Sequence, residues 1–196
     1  MRVTEAFRDA QFLAEFAALQ PQSVENWRMN HPDFVPQKWW DYRPTDSKGK
    51  PQPRKLWQMN QEWLREAWRK HFNIGLFDLM RLITSVFDPD NLTDVMFGVS
   101  ERPTFATLSE MPEELYPYQK AVLYLKENNW RSALCERCNM PFVAAHNRQK
   151  YCGRTLNAEG ETCFTLARKE QKRADHARHR RVRNRKRRKS YAASTA

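Results

Sequence analysis

Four cysteines are the residues best placed to do chemistry. Cys135 and Cys138 lie in Cys-Glu-Arg-Cys, Cys152 in Lys-Tyr-Cys, and Cys163 opens a basic run, a spacing of C-x2-C-x13-C-x10-C. A C-x2-C pair suits a metal because a tight turn sets two thiolates on one ion at about 2.3 Å each, with backbone N–H groups aimed at the sulfurs. Pro141 and Phe142 then suggest a short hairpin strand, with Gln149-Lys-Tyr-Cys152 as its return. Cys163 falls in the first turn of the next helix, where the positive end of the helix dipole favours a thiolate. Turn, hairpin, then a helix that contributes a ligand is a treble-clef arrangement.

The residues around the thiols make only a very small apolar cluster: Phe142, Val143, Tyr151, Phe164 and Leu166. Metal must then supply most of the stability, and structural Zn²⁺ contributes on the order of 10–16 kcal/mol in small fingers. The rivals are an iron–sulfur cluster, a redox pair and inert buried thiols. Ferredoxin spacings do not match this one, and one structural zinc is the cofactor expected. Four thiolates close the site, leaving no position for a catalytic water. His146 in the hairpin could replace a cysteine as ligand, and His176 and His179 could join a metal site, but four thiolates already saturate zinc.

Behind Cys163 the run FTLARKEQKRADHARHRRVRNRKRRK has neither Pro nor Gly and is rich in good helix formers. From Arg168 to Lys189 there are 13 Lys/Arg against Glu170 and Asp175, so this segment accounts for the whole net charge of +11. The rest of the chain balances at 21 basic and 21 acidic residues. A concentrated cationic segment on a neutral body calls for an anionic partner at one place. Such a helix repels itself, and phosphates relieve the repulsion. Arg168, Lys169, Lys172, Arg173, Arg180, Arg183 and Arg187 are the phosphate contacts expected on the helix, with Arg148 and Lys150 ahead of it. The rivals are an acidic protein, lipid headgroups and plain solubility. His176 and His179 read as helix-surface residues that meet phosphate when protonated.

The run WRSALCERCNMPFVAAHNRQKYC, with the last cysteine opening a Lys/Arg-rich helix, resembles the CGNR-type zinc-finger proteins of bacteria over roughly residues 130–180. The resemblance implies a helical N-terminal region, a C-terminal finger with Cys135, Cys138, Cys152 and Cys163 as ligands, and a DNA-binding transcription-regulator role. Cys163-Phe-Thr-Leu stands where the tetrad naming that family would be, and the loop Gly153–Thr162 is longer than usual.

The elements that must carry this module are helical. Apolar residues at Val3, Ala6, Phe7, Ala10, Leu13, Phe16 and Ala17 give one buried stripe, with Thr4 as cap and Pro21 as stop. Six prolines across 21–54 forbid a long helix, while Trp27, Phe34, Trp39, Trp40 and Tyr42 predict an irregular arm lying on the core. That arm ends in an exposed loop at 45–54. Helical periods recur over 55–72 and 76–87, a pair read as the centre of the domain, and over about 117–128. Residues 91–113 read either way, with VMFGV as a short strand or ATLSEMPEEL capping a helix.

The fold expected is mainly α. It comprises a helical domain at 1–130 for sensing or homodimer formation, a finger with basic helix at 131–190, and a disordered tail at 191–196. A pocket around Trp39, Trp40 and Trp57 would be the sensor. No signal-peptide core and no run of 18 apolar residues is present, so a cytoplasmic protein without membrane contact is expected. There is no glycine-rich phosphate loop, HExxH or GxSxG, and no enzyme is expected. A metal-dependent nuclease using His146 is the enzymatic rival; Asp88/Asp90 and Glu110/Glu113/Glu114 read as turn and helix-start acids. DNA is the favoured partner, RNA or the ribosome the second, and an adaptor for an acidic protein the third.

Overall fold

A computed structural model describes residues 4–45, 48–84, 115–156 and 159–194. The chain is mainly helical, with a C-terminal helix behind the cysteines and two short strands among the described residues. It divides into two compact units, Met1–Leu134 with Asn139–Lys150, and Cys135–Cys138 with Tyr151–Ala196.

In the first unit, α1 (Glu5–Ala18) begins where the Thr4 side chain accepts a hydrogen bond from the Phe7 N–H at 3.3 Å. It buries Ala10, Leu13, Phe16 and Ala17 of the predicted stripe, with Asp9 and Ala14 beside them, while Ala6 and Phe7 are half-buried. The last carbonyls of α1 find side-chain donors. Gln61 Nε2 donates to Phe16 O at 2.7 Å and Leu19 O at 3.2 Å, and Arg65 Nε to Ala17 O at 2.7 Å. Both donors stand on α3 (Leu56–Arg69), so two helices are joined through one helix's unpaired end.

Between them lies α2 (Val24–Asn30) and the proline-rich arm. Trp27, Phe34, Trp39 and Trp40 are buried. Their rings gather on Phe16, with centroids 5.5, 5.8 and 5.9 Å from Trp27, Trp39 and Trp40, and Tyr118 closes the cluster 5.9 Å from Trp39. The arm is therefore part of the core, which explains how a segment unable to form long helices stays fixed.

α3 stops at Arg69 rather than running on to Phe72. His71 and Phe72 have φ of 49° and 50°, a left-handed conformation that costs a non-glycine residue about 1–3 kcal/mol each. Burial offsets it: Phe72 is fully enclosed, its ring edge-on to Trp68, and its N–H donates to Ala67 O at 2.8 Å. His71 is thus a turn residue outside the helix, with Nδ1 2.8 Å from Ser132 O. α4 (Leu76–Thr84) follows; the remainder of the expected 76–87 helix, the 91–113 segment and the acids from Asp88 to Glu114 lie outside the described residues. α5 (Pro117–Glu127) packs on α1, which also meets α3, so α1 and not the 55–87 pair holds the centre.

The hairpin differs from expectation. β1 (Ser132–Leu134) pairs antiparallel with β2 (Pro141–Val143), in the register Ser132↔Val143, Ala133↔Phe142, Leu134↔Pro141. No strand forms at 149–152. The Cys135–Cys138 turn itself reverses the chain, so β2 folds back on the strand before the turn. Core burial fixes the pairing: Phe142 and Val143 are each 7% exposed, and Trp68 Nε1 donates to Phe142 O at 3.4 Å. For the same reason the hairpin belongs to the helical unit, and a boundary at 130/131 does not describe the division.

The second unit holds the Cys135–Cys138 turn, a bridge between Thr155 and Thr162, and α6 (Cys163–Ser194). α6 is 32 residues long and runs to Ser194, past the 190/191 boundary at which a disordered tail is expected. Among the described residues no helix is long and apolar enough to cross a membrane.

Candidate metal centre and basic helix

The turn Glu136–Cys138 closes on Asn139, whose φ of 54° is one that asparagine tolerates better than most residues. The C-x2-C-Asn pattern carries this feature, which the spacing of cysteines alone does not reveal. At the other end, Thr162 and Thr165 cap α6 reciprocally. The Thr162 N–H donates to Thr165 Oγ1 at 2.8 Å and the Thr165 N–H to Thr162 Oγ1 at 3.2 Å. Capping fixes Cys163 as the first residue of the helix, with its side chain fully buried.

These two devices bring the four sulfurs together, all within 4.8 Å of one another. Cys138 Sγ and Cys152 Sγ are 3.6 Å apart, much too far for a disulfide at about 2.05 Å. The edge of a tetrahedron with 2.3 Å metal–sulfur bonds is about 3.8 Å. Cys135, Cys152 and Cys163 are buried and Cys138 is half-buried. The donor set, its closure and its spacing fit a tetrahedral thiolate-bound metal ion.

The electrostatics around the sulfurs are uneven. Burial pushes the Cys135 thiol up, but backbone N–H groups of Cys138, Cys152 and Arg137 outweigh it and bring the thiol down to about 6. The Cys152 N–H lies 3.4 Å from Cys135 Sγ. Burial raises Cys163, with the neighbouring sulfurs adding to the rise, and burial raises Cys152 too, against the opposing Arg154 N–H and Cys163. Four thiolates at this separation repel each other unless a cation sits among them.

Arg137, inside the turn, donates to Glu170 Oε2 at 2.7 Å and so joins the turn to the second turn of α6. Hydrogen bonding to Arg137 holds the Glu170 carboxyl below the usual carboxylate range. At about 3.6 residues per turn, Cys163, Glu170, Ala174 and Ala177 share one face of α6. Arg168, Lys172, His176, His179 and Arg183 share the opposite one, flanked by Lys169, Arg173, Arg180 and Arg187. Every described side chain from Arg168 to Arg187 is exposed. Lys169 pairs with Glu161.

Arg148 and Lys150 are exposed in the first unit, beyond β2 and not on a return strand. His146 is exposed there too, in a turn closed by the Gln149 N–H donating to its carbonyl at 3.0 Å. Among the described residues the four cysteines are the one group of three or more His, Cys, Asp or Glu able to hold a metal. Trp39, at 1% exposure, is packing rather than the wall of an open pocket. A cleft of about 310 Å³ is lined by Trp40 and Trp57 with Arg28, Asp41, Arg43 and Lys55; Asp41 pairs there with Lys55 at 2.8 Å and Arg28 at 3.6 Å, and Arg43 donates to Pro53 O.

The proposed small cluster of Phe142, Val143, Tyr151, Phe164 and Leu166 does not form as such. Val143 joins the helical core, Phe142 is buried without being part of that cluster, Tyr151 and Leu166 are half-buried, and Phe164 is 54% exposed. In the second unit, the only buried side chains among the described residues are Cys135, Cys152 and Cys163. Comparison of the chain with protein-family models, with curated proteins and with solved structures found no match.

Proposed function

We propose that this chain is a zinc-dependent nucleic-acid-binding protein. The ion bound by Cys135, Cys138, Cys152 and Cys163 fixes the start of α6, and the Lys/Arg side chains of that helix take the phosphates of DNA in a regulator-like role. One observation carries the reading. A 32-residue helix holding the chain's whole net charge exposes every described side chain from Arg168 to Arg187, and its first residue is one of four clustered cysteines. From Arg168 to Arg187 this helix buries no described side chain, Val182 included, so tertiary burial does not stabilise its outer turns. A polyanion does so by neutralising adjacent cations and releasing its counterions.

Zinc is preferred because four thiolates in closed tetrahedral spacing match its structural sites. The resemblance to CGNR-type fingers, resting on the four cysteines and the helix behind them, favours DNA as the partner. The helical unit then serves sensing or homodimer formation. No catalytic role is assigned to either unit, and a cytoplasmic location goes with the proposal.

The test is binding of zinc-loaded protein to duplex DNA, structured RNA and heparin across a salt series. Several phosphate contacts give a steep fall of log K with log salt, near −0.9 per contact for duplex DNA. A flat response, or no binding to any of the three, would overturn the proposal. Binding to heparin alone would favour an acidic protein partner.

A further inference from the structure

Phe164 is the second residue of α6, beside the fully buried Cys163, yet it is 54% exposed. Leu156, whose N–H donates to Glu161 O at 2.8 Å in the turn that leads into the helix, is 46% exposed. A lone exposed hydrophobic residue is ordinary. What singles out Phe164 is its company: Arg168 stands one turn further along the same helix face, exposed, and the cationic face continues from there through Lys172 and Arg183. The cysteine cluster and the Thr162–Thr165 cap also hold the backbone under this ring, so little ordering cost remains when something binds it.

An aromatic face held at the head of a cationic track is the combination by which proteins hold single strands. Phosphates follow the cations, and a base stacks on the ring because every base has a π-face. A closed duplex offers phosphates but keeps its bases stacked on one another, so it has no use for the ring. We infer that Phe164, with the Arg168 guanidinium beside it, is a stacking platform for an unpaired nucleobase. The ligand of the basic helix is then a strand with at least one base out of duplex pairing. This rests on the nucleic-acid reading of α6 and narrows it.

The experiment compares four ligands of matched length with zinc-loaded full-length chain: single-stranded DNA, single-stranded RNA, closed duplex DNA and inorganic polyphosphate. The wild-type chain binds both single strands more tightly than polyphosphate, which supplies charge without bases. Phe164→Ala weakens the single strands by about tenfold, within the range for loss of one stacked base, and leaves duplex and polyphosphate unchanged. The salt slopes stay as they were, because no phosphate contact is lost. Phe164→Tyr keeps wild-type affinity. Metal content and circular dichroism establish that each variant is folded; if Phe164→Ala loses its metal, Phe164→Leu, which keeps apolar bulk without the π-face, replaces it with the same expectation. Unchanged single-strand affinity in the folded variant, with polyanion binding intact, overturns the platform alone. Failure of the wild-type chain to bind any of the four overturns the nucleic-acid reading instead. A stronger effect on RNA than on DNA, or the reverse, tells which strand the platform serves.

Discussion

Replacing Cys152 by serine tests the metal centre most directly, because the size of its effect follows from what the second unit lacks. Three cysteines are its only buried side chains among the described residues. Burial of a few thiols contributes a few kcal/mol at most, whereas structural zinc contributes on the order of 10–16 kcal/mol. One ligand in four carries roughly a quarter of that, so Cys152→Ser should weaken zinc by about a hundredfold or more. Two optical probes separate the units. All seven tryptophans belong to the first unit, so their emission reports on it alone. α6 makes up more than a third of the residues in the described α-helices, so its melting should remove about a third of the ellipticity at 222 nm. The expected result is one zinc per wild-type chain, loss of metal in the variant at a free zinc concentration about tenfold above the wild-type dissociation constant, a fall in ellipticity there, and unchanged tryptophan emission. Chelation of the wild-type chain should reproduce it. Full zinc occupancy and ellipticity in Cys152→Ser would refute the argument, and so would a wild-type chain purified without metal yet equally helical.

Three other perturbations address single contacts. Gln61→Leu removes the donor that closes the carbonyls of Phe16 and Leu19, and should lower stability to urea by about 1–3 kcal/mol. Asp9 is buried with Oδ2 unpaired, and burial, then Glu5, raises its carboxyl pKa against the opposing pull of Arg8 and Lys120. The folded state therefore holds a proton that the unfolded state has released, so stability falls as pH rises from the ordinary carboxylate value through the raised one. Asp9→Asn should stabilise the chain at neutral pH by about 1 kcal/mol and flatten that dependence in urea titrations at several pH values. Glu170→Gln removes a negative charge from the basic helix, which on charge alone would tighten polyanion binding. If the pairing with Arg137 aims the helix, affinity measured at fixed salt falls instead.

The sequence carries the elements that use local rules. The stripe on α1, its Thr4 cap and the near-coincidence of α5 with 117–128 follow from period and capping chemistry, which act within a few residues. The four cysteines were legible for a related reason: few residue types bind metal, and their spacing limits the turn between them. What sequence misassigned depends on competition between distant segments. Val143 has the right residue type to serve either the finger or the helical core, which takes it, and nothing local decides which. Trp68 Nε1, donating to Phe142 O, belongs to a segment more than 70 residues away. Likewise His71 and Phe72 continue a helical period, and only the enclosed site that receives the Phe72 ring makes their left-handed turn affordable. Of the tryptophans read as pocket walls, Trp39 is packing while Trp40 and Trp57 border a cleft, a difference that aromatic composition does not show.

The placement of the cysteine cluster at the first turn of α6, rather than along it, has a physical logic. Forming the first hydrogen-bonded turn is the costly step of helix formation, and propagation afterwards is nearly neutral for good formers. The Thr162–Thr165 cap and Cys163 in the metal cluster bear that cost where it falls. Arg137–Glu170 extends the hold by one more turn, on the face that Cys163 marks. Beyond it the helix is built from Arg, Lys and Ala, which propagate well, while their like charges oppose compaction. Such a helix is poised: nucleated at one end and repelled along its length, its outer turns gain order as cations are neutralised. A metal-bound chain should therefore gain ellipticity on adding polyphosphate, and a chelated chain should gain much less, because without the nucleus each turn must start anew. Equal gains in the two states would mean that the metal site and the basic helix act independently.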